Sequence, residues 1–231
     1  MTRGGVRRFF SDQIPCVGER VFLSLEVSHH LLRVVGIAPQ EEIELFNGRG
    51  ACCRAKLLEV HEGKALVEAI SEIIREEKDR EIHLFLGLLR PQPFSTALRM
   101  ATELGVTDIH PVLCERSVAR GEKLQRWKKI VESSVAQSGR SEFPKVYSLC
   151  ELPSAVQLVR DCQRWILHPG SQASMRRDSN GSVAVMIGPE GGLTFKELRC
   201  ALDNGWSSVS FSGGVLRADT AVAAALSHFL T

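Results

Sequence analysis

Hydrophobic and polar positions follow two different rhythms along this chain. In residues 1–71 the apolar positions fall in short runs with alternating or β-branched character: Arg20–Leu25, Glu42–Phe46, Ala51–Val60 and Ala65–Ile70. Asn47-Gly48 is a turn signal between the second and third runs, and Glu62-Gly63 is a weaker one between the third and fourth. A helix over His29–Val35 interrupts the series. The pattern predicts a small β-barrel or sandwich. Residues 72–81 are dominated by charge and predict a solvated linker or helix.

From Ile82 the rhythm changes to strands alternating with helices. Ile82–Leu89 is a buried-strand run, and Phe94, Ala97, Leu98, Ala101 and Leu104 fall on one helical face that stops at Gly105. Ile109–Cys114 predicts a strand, followed by a helical stripe of Leu124, Trp127, Ile130, Val131 and Val135. Lys145–Leu149 is strand-like, and a helix begins at Pro153. Trp165–His168, Val183–Ile187 and Val209–Phe211 predict further strands. Thr194 and Glu197 are spaced as a capping box for a helix that ends at Gly205, and Asp219–Leu230 predicts the last helix. This alternation predicts an α/β domain over 82–231, with a parallel sheet covered on both faces. Ligands of such sheets bind at the carboxyl ends of strands, here the loops after His168, Ile187 and Phe211.

Composition narrows the class. The chain has 231 residues, 44% of them hydrophobic and 24% charged, which suits a folded protein rather than a disordered one. No run approaches the roughly 18–20 apolar residues that span a bilayer, and the basic start lacks the apolar core of a signal peptide. The expectation is a cytoplasmic protein without a membrane partner. The seven cysteines are scattered and form no Cys-x-x-Cys pair, and His29-His30 is the one histidine pair in the sequence. No metal site is expected. Net charge is only +2, so any affinity for nucleic acid must come from local clusters.

Two segments carry candidate chemistry. Ile187-Gly-Pro-Glu-Gly-Gly192 follows a strand and leads into the capped helix. Its glycines let a ligand approach the backbone, Pro189 stiffens the loop, and its amides suit the edge of an adenine. The same residues equally make a strand-to-helix turn with no ligand. In Ser210-Phe-Ser-Gly-Gly-Val-Leu-Arg-Ala-Asp-Thr-Ala221 a strand end passes through two glycines into an Ala-rich helix. Arg217 there can hold a phosphate or carboxylate, or simply sit at the surface of a helix start. Basic residues cluster at Arg3, Arg7 and Arg8 before Phe9-Phe10, and again at Arg116, Arg120, Lys123, Arg126, Lys128 and Lys129, where Glu122 is the single acid. Such patches suit phosphate contact and base stacking, although a solvated helix face has the same composition. There is no Gly-x-Gly-x-x-Gly after the first strand of the α/β region and no Gly-x-x-x-x-Gly-Lys-Ser/Thr loop, which argues against a nucleotide-binding enzyme of those classes.

Taken in order, Arg8-Phe-Phe, His30-Leu-Leu-Arg33, Glu103-Leu-Gly-Val106, Arg116-Ser117, Gln137-Ser-Gly-Arg140, Leu167-His-Pro169, Ile187–Gly192 and Val215–Ala221 resemble the RsmE family. Its members are bacterial methyltransferases that modify N3 of a uridine in 16S ribosomal RNA. The resemblance implies a PUA-like RNA-binding barrel over 1–71 and a SPOUT methyltransferase domain over 82–231 that ends in a trefoil knot. It also implies a homodimer acting on 16S rRNA in the small ribosomal subunit. S-adenosyl-L-methionine would be held by Leu167, His168, Ile187, Gly188, Pro189, Glu190, Gly191, Gly192, Ser210, Phe211, Ser212, Val215, Leu216, Arg217, Ala218 and Thr220. Arg217 is the implied catalytic residue, and Arg7, Arg8, Arg33, Arg116, Arg120 and Arg140 the implied RNA contacts. The chain departs from the family at Gly214, where an Arg is usual, at Asp219 for Glu, and at Pro93, Met100 and Ala136. Related alternatives are another SPOUT methyltransferase, acting on tRNA or a 2′-hydroxyl, and a non-catalytic RNA-binding protein that kept the fold.

Overall fold

The computed structural model describes residues 6–76, 80–175, 181–211 and 214–229. It divides into two compact units, one of residues 1–77 with 132–143, the other of 78–131 with 144–231.

The first unit is a mixed sheet. Its elements are β1 (Arg7–Phe10), β2 (Arg20–Phe22), α1 (Leu25–His29) running into a wider helical turn at His30–Val35, β3 (Glu42–Phe46), β4 (Ala51–His61), β5 (Lys64–Ala69) and β6 (Ile74–Arg75). The strand order is β1-β3-β4-β5-β2, with β6 on β4. β1 runs parallel to β3, and the other pairs are antiparallel. The β4–β5 hairpin closes through Glu62 and Gly63, both at positive φ (49° and 78°), the signature of a tight primed turn that matches strand twist. The Asn47-Gly48 signal yields a longer loop. Asn47 Oδ1 accepts from the amides of Arg49 (2.9 Å) and Ala51 (3.1 Å), so the side chain replaces a backbone turn. Within the stretch expected to be a linker, Ile74 and Arg75 instead pair with Cys52 and Ala51. One sheet face buries Phe9, Ile43, Leu45, Leu57 and Val67 around Leu31.

Arg8, expected as an RNA contact, is committed elsewhere. Its side chain is 2% exposed. Nε donates to Glu44 Oε1 (2.6 Å), Nη1 to the Arg140 carbonyl (2.7 Å) and Nη2 to Ser141 Oγ (2.9 Å), and the guanidinium lies 4.9 Å from the Phe46 ring centre. The alternation of β1 explains this: Phe9 points into the main core, so Arg8 points to the opposite face, which residues 132–143 cover. Arg7 and Arg33 remain exposed, with Arg7 Nη1 donating to the Val35 carbonyl (2.9 Å). Arg140 is half-buried, and its Nε has no hydrogen-bond partner among the described residues.

The second unit contains β7 (Ile82–Gly87), α2 (Pro91–Glu103), β8 (Asp108–Leu113), α3 (Leu124–Ser138, within which the division between units falls), β9 (Lys145–Val146), β10 (Cys150–Glu151), α4 (Leu152–Ala155), β11 (Gln163–Leu167), β12 (Val183–Ile187), α5 (Phe195–Asp203), β13 (Ser207–Val209) and α6 (Ala218–Ser227). Its sheet has the order β10-β8-β7-β12-β11-β13, with β9 on β8, and every pairing is parallel. Successive residues face opposite layers. Leu84, Leu86, Val183, Val185 and Ile187 pack with Phe94, Leu98, Val222 and Leu226 of α2 and α6. Phe85, Ala184 and Met186 pack with Leu152, Ala155 and Ala201 of α4 and α5. Both faces are therefore apolar, which is why these strands read as continuous hydrophobic runs. Of the expected strand over Lys145–Leu149 only Lys145 and Val146 pair, as β9, with β10 starting just beyond it, and the helix expected from Pro153 is the short α4.

Replacing Arg8 by Met strands the Glu44 carboxylate and removes three hydrogen bonds. The expected loss is about 3 kcal/mol of stability in the first unit, measured as faster hydrogen exchange of the β1 and β3 amides.

Candidate active site

The parallel strands of the second unit all exit on one edge, and their exits form a cleft of about 530 Å³. That volume lies within the usual range for sites that enclose a small organic ligand. Its walls come from the segments that follow β7, β11, β12 and β13.

After β11, Leu167, His168 and Pro169 line the cleft. The chain beyond them is laced to β13: His168 N donates to the Val209 carbonyl (3.0 Å), Ser171 Oγ to the Ser208 carbonyl (2.7 Å), and Ser210 Oγ to the Ser171 carbonyl (2.5 Å). The serines satisfy backbone carbonyls that neither strand pairs, which fixes the two loops against each other.

After β12, Ile187, Gly188, Pro189, Glu190 and Gly192 line the cleft. Gly192 N donates to the Pro189 carbonyl (2.8 Å), closing a tight turn with Gly192 at φ 69°. Gly191 faces away. A Cβ there would lie 2.9 Å from Arg116 Cβ and 3.1 Å from the Arg116 carbonyl oxygen, so this glycine admits the β8 exit against the back of the turn. Arg116 follows it, with Nη1 donating to the Gly191 carbonyl (3.3 Å). Arg120 is exposed, its guanidinium turned back to the Ser117 and Ala119 carbonyls.

After β13, Ser210, Phe211, Gly214, Val215, Leu216, Arg217, Ala218 and Asp219 contribute, and Ala221 of α6 closes the floor. Gly214 sits at φ 121°, a conformation that the family's usual Arg would adopt only under strain. Arg217 is the N-cap of α6, and its side chain is 75% exposed. It pairs with Asp219 (Nε to Oδ1 3.4 Å, Nη2 to Oδ2 3.5 Å). Thr220, expected to touch the cofactor, does not line the cleft; its amide donates to Asp219 Oδ1 (3.1 Å). Ser212 lies outside the described residues.

The sequence reading missed the wall that follows β7. Arg90 and Pro93 line the cleft, and Glu190 Oε1 accepts from both the amide (3.1 Å) and Nε (3.4 Å) of Arg90. The signal was available, since the rule that points to carboxyl ends of strands applies to the end of Ile82–Leu89 as well. The result is two ion pairs on one cleft whose Arg side chains are exposed, Arg90–Glu190 and Arg217–Asp219. Pairs of this kind are each worth only about 0–1 kcal/mol, so both guanidiniums can turn to an incoming anion at little cost.

Comparisons with known proteins fit this geometry. The family described as RNA methyltransferase domain matches residues 76–230. A ribosomal RNA small subunit methyltransferase E from Synechocystis is 30% identical over 219 residues, covering 90% of this chain and 72% of that protein. A second, from Borreliella burgdorferi, is 25% identical and covers 88% of each chain. The crystal structure of a ribosomal RNA small subunit methyltransferase E from Neisseria gonorrhoeae bound to S-adenosyl methionine superposes with a TM-score of 0.89 at 30% identity, covering 96% of this chain and 95% of that one. The chain belongs to the ribosomal RNA small subunit methyltransferase E family.

In this family member the turn at 189–192 is anchored from behind. Thr194 Oγ1 accepts from Glu197 N (3.2 Å), and Glu197 Oε2 accepts from Thr194 N (2.8 Å), the complete capping box that the sequence spacing foretold. Glu197 is buried, and its other oxygen accepts from Glu115 N (2.8 Å), joining the β8 exit to the start of α5. Burial, together with the Glu197 charge, pushes the adjacent Cys114 thiol up to about 12, so Cys114 stays protonated and is no nucleophile. Glu197→Ala leaves two amides without an acceptor and is expected to cost about 2–4 kcal/mol. Urea unfolding followed by tryptophan fluorescence measures this, because Trp127, Trp165 and Trp206 all lie in the second unit.

Proposed function

We propose that the protein transfers the methyl group of S-adenosylmethionine to N3 of a uridine in 16S ribosomal RNA, presented by the small ribosomal subunit. The observation that carries this reading is the cleft itself, built where the strand exits of β11, β12 and β13 meet, with Arg217 on its rim. The cleft suits that cosubstrate on its own chemistry. Gly188 and Gly192 expose backbone for an adenine edge, Leu167 and Leu216 offer apolar contact, and Glu190 offers acceptors for hydroxyls or an amine. Gly87 and Gly188 allow the close backbone approach that opens this space, since a Cβ on Gly87 would lie 2.5 Å from Pro189 N.

S-adenosylmethionine supplies an electrophilic methyl on a sulfonium for in-line attack. The protein's own part is position and charge. The uridine must leave any base stack to reach the cleft. Uridine N3 carries a proton, which leaves to solvent before or as the N–CH3 bond forms and the S–CH3 bond breaks; Arg217 faces the negative charge this leaves on the uracil, or a neighbouring phosphate, once its weak pair with Asp219 opens. Asp219, one methylene shorter than the family's Glu, still reaches Arg217 and also accepts from the start of α6.

The remaining elements of the reading follow the same resemblance. Residues 1–71 form a PUA-like barrel for RNA, which the β1-β3-β4-β5-β2 sheet supports, with exposed Arg7 and Arg33 as its contacts. Residues 82–231 form a SPOUT domain with a trefoil knot, which the β7-β12-β11-β13 order and the lacing of 168–173 onto β13 support. A homodimer is supported by the exposed apolar side chains Val118 and Val215, at 72% and 78% exposure. Among the described residues no helix is long and apolar enough to cross a membrane. A ribosomal substrate places the protein in the cytoplasm.

Small subunits from cells lacking the protein, incubated with labelled S-adenosylmethionine and mapped by mass spectrometry, test the function. Binding of the cosubstrate without transfer would overturn it in favour of a non-catalytic RNA-binding protein. Arg217→Ala is expected to lower transfer about 100-fold while shifting cosubstrate affinity less than about threefold. Gly87→Ala is expected to displace the Gly188–Pro189 backbone and weaken cosubstrate binding at least about tenfold by calorimetry; unchanged affinity would remove this loop from the site.

A further inference from the structure

At the amino end of the parallel sheet, far from the cleft, β7 and β8 bring three metal-ligating side chains together. His83 is the register partner of Asp108, and Phe85 is the partner of His110. By strand alternation all four share one sheet face. His110 is buried and clamped in a ring stack, with centroids 4.3 Å from Phe85 and 4.3 Å from Tyr147 and interplanar angles of 7° and 11°. The clamp fixes the direction of His110 Nε2, which faces His83 Nδ1 at 3.3 Å. Asp108 Oδ2 lies 3.9 Å from the same His83 nitrogen. One nitrogen from each histidine and one oxygen from Asp108 all lie within 4.8 Å of one another.

Two imidazole nitrogens cannot face each other with both lone pairs bare; a proton or a metal ion must lie between them. A tetrahedral ion with metal–nitrogen bonds of about 2.0–2.1 Å sets its ligands about 3.3 Å apart, which is the separation of the two nitrogens; Asp108 Oδ2, 3.9 Å from His83 Nδ1, must swing inward to complete the set. Outer groups flank these ligands. Glu81 Oε2 lies 3.6 Å from His83 Nε2, just beyond hydrogen-bond distance, and Tyr147 donates to Asp108 Oδ1 at 2.8 Å, which fixes that carboxylate. His110 Nδ1 has no hydrogen-bond partner among the described residues, and Nε2 meets His83. The side chains of His83 and Asp108 are 13% and 12% exposed, which leaves a path for an ion and for a water as fourth ligand.

We propose that His83 Nδ1, His110 Nε2 and Asp108 form a site for one divalent first-row transition ion of the zinc or cobalt kind. Two nitrogens and one carboxylate exclude calcium and magnesium, which take oxygen shells. His83 stands four residues before Gly87, roughly 13 Å along the strand at about 3.3 Å per residue, so the ion clips β7 to β8 and takes no part in the methyl transfer. The competing occupant is a proton, shared as an N–H···N hydrogen bond between the two rings.

The test is a cobalt(II) titration of the chelator-stripped full chain, followed by visible absorption. The expected result is one equivalent bound with tetrahedral d–d bands and no thiolate charge-transfer band, displaced by zinc and lost in both His83→Gln and His110→Phe. The Phe variant keeps the ring stack; if it does not fold, His83→Gln decides alone. Zinc at about 100 times its dissociation constant should raise the melting temperature of the second unit by about 5 °C in the wild type only. Absence of the d–d bands, bands that survive His83→Gln, or a thiolate band from the cysteines would each overturn the proposal.

Discussion

The structure of the second unit depends on one constraint: its strands all run the same way. A parallel sheet must have both faces buried, and its connections must cross from the end of one strand to the start of the next. Helices α2 and α6 cover one face and α4 and α5 the other. The strand exits are then forced to one edge. The cleft exists because Leu167, Ile187 and Val209 end their strands there side by side, and because glycines at 87, 188 and 191 let the exits press together where side chains would hold them apart. The amino edge collects a different set of residues, and the His83–Asp108–His110 group arises from the same register that aligns the cleft.

Charge is placed with the same economy. Arg8 and Arg217 look alike in the sequence, each a cation next to apolar residues. Arg8 is buried against Glu44 with its hydrogen bonds made inside the first unit, and so belongs to the fold. Arg217 is exposed, pairs with Asp219 only at long range, and so remains available to a ligand. Arg90 shares this property through Glu190. Weak surface pairs hold these cations near the cleft without consuming them, while a rigid backbone, anchored by the buried Glu197, supplies the shape.

The sequence by itself determined most of the order of strands and helices, though not β1, β6 or β10, together with the hydrophobic runs of the parallel sheet, the capping box at Thr194 and Glu197, and the loops after β11, β12 and β13 that wall the cleft. These are local facts: period, cap spacing and strand ends depend on neighbours a few residues apart. Tertiary structure alone decided the rest. Pairing of β1 with β3 turned Arg8 inward; packing of β7 beside β12 brought Arg90 to Glu190, 100 residues away. The β8 exit took up the space behind Gly191, and register between β7 and β8 joined histidines at 83 and 110 that no motif spacing links. Each is a contact between distant segments, fixed by which strands are neighbours and in what register, and a one-dimensional pattern carries no record of that choice.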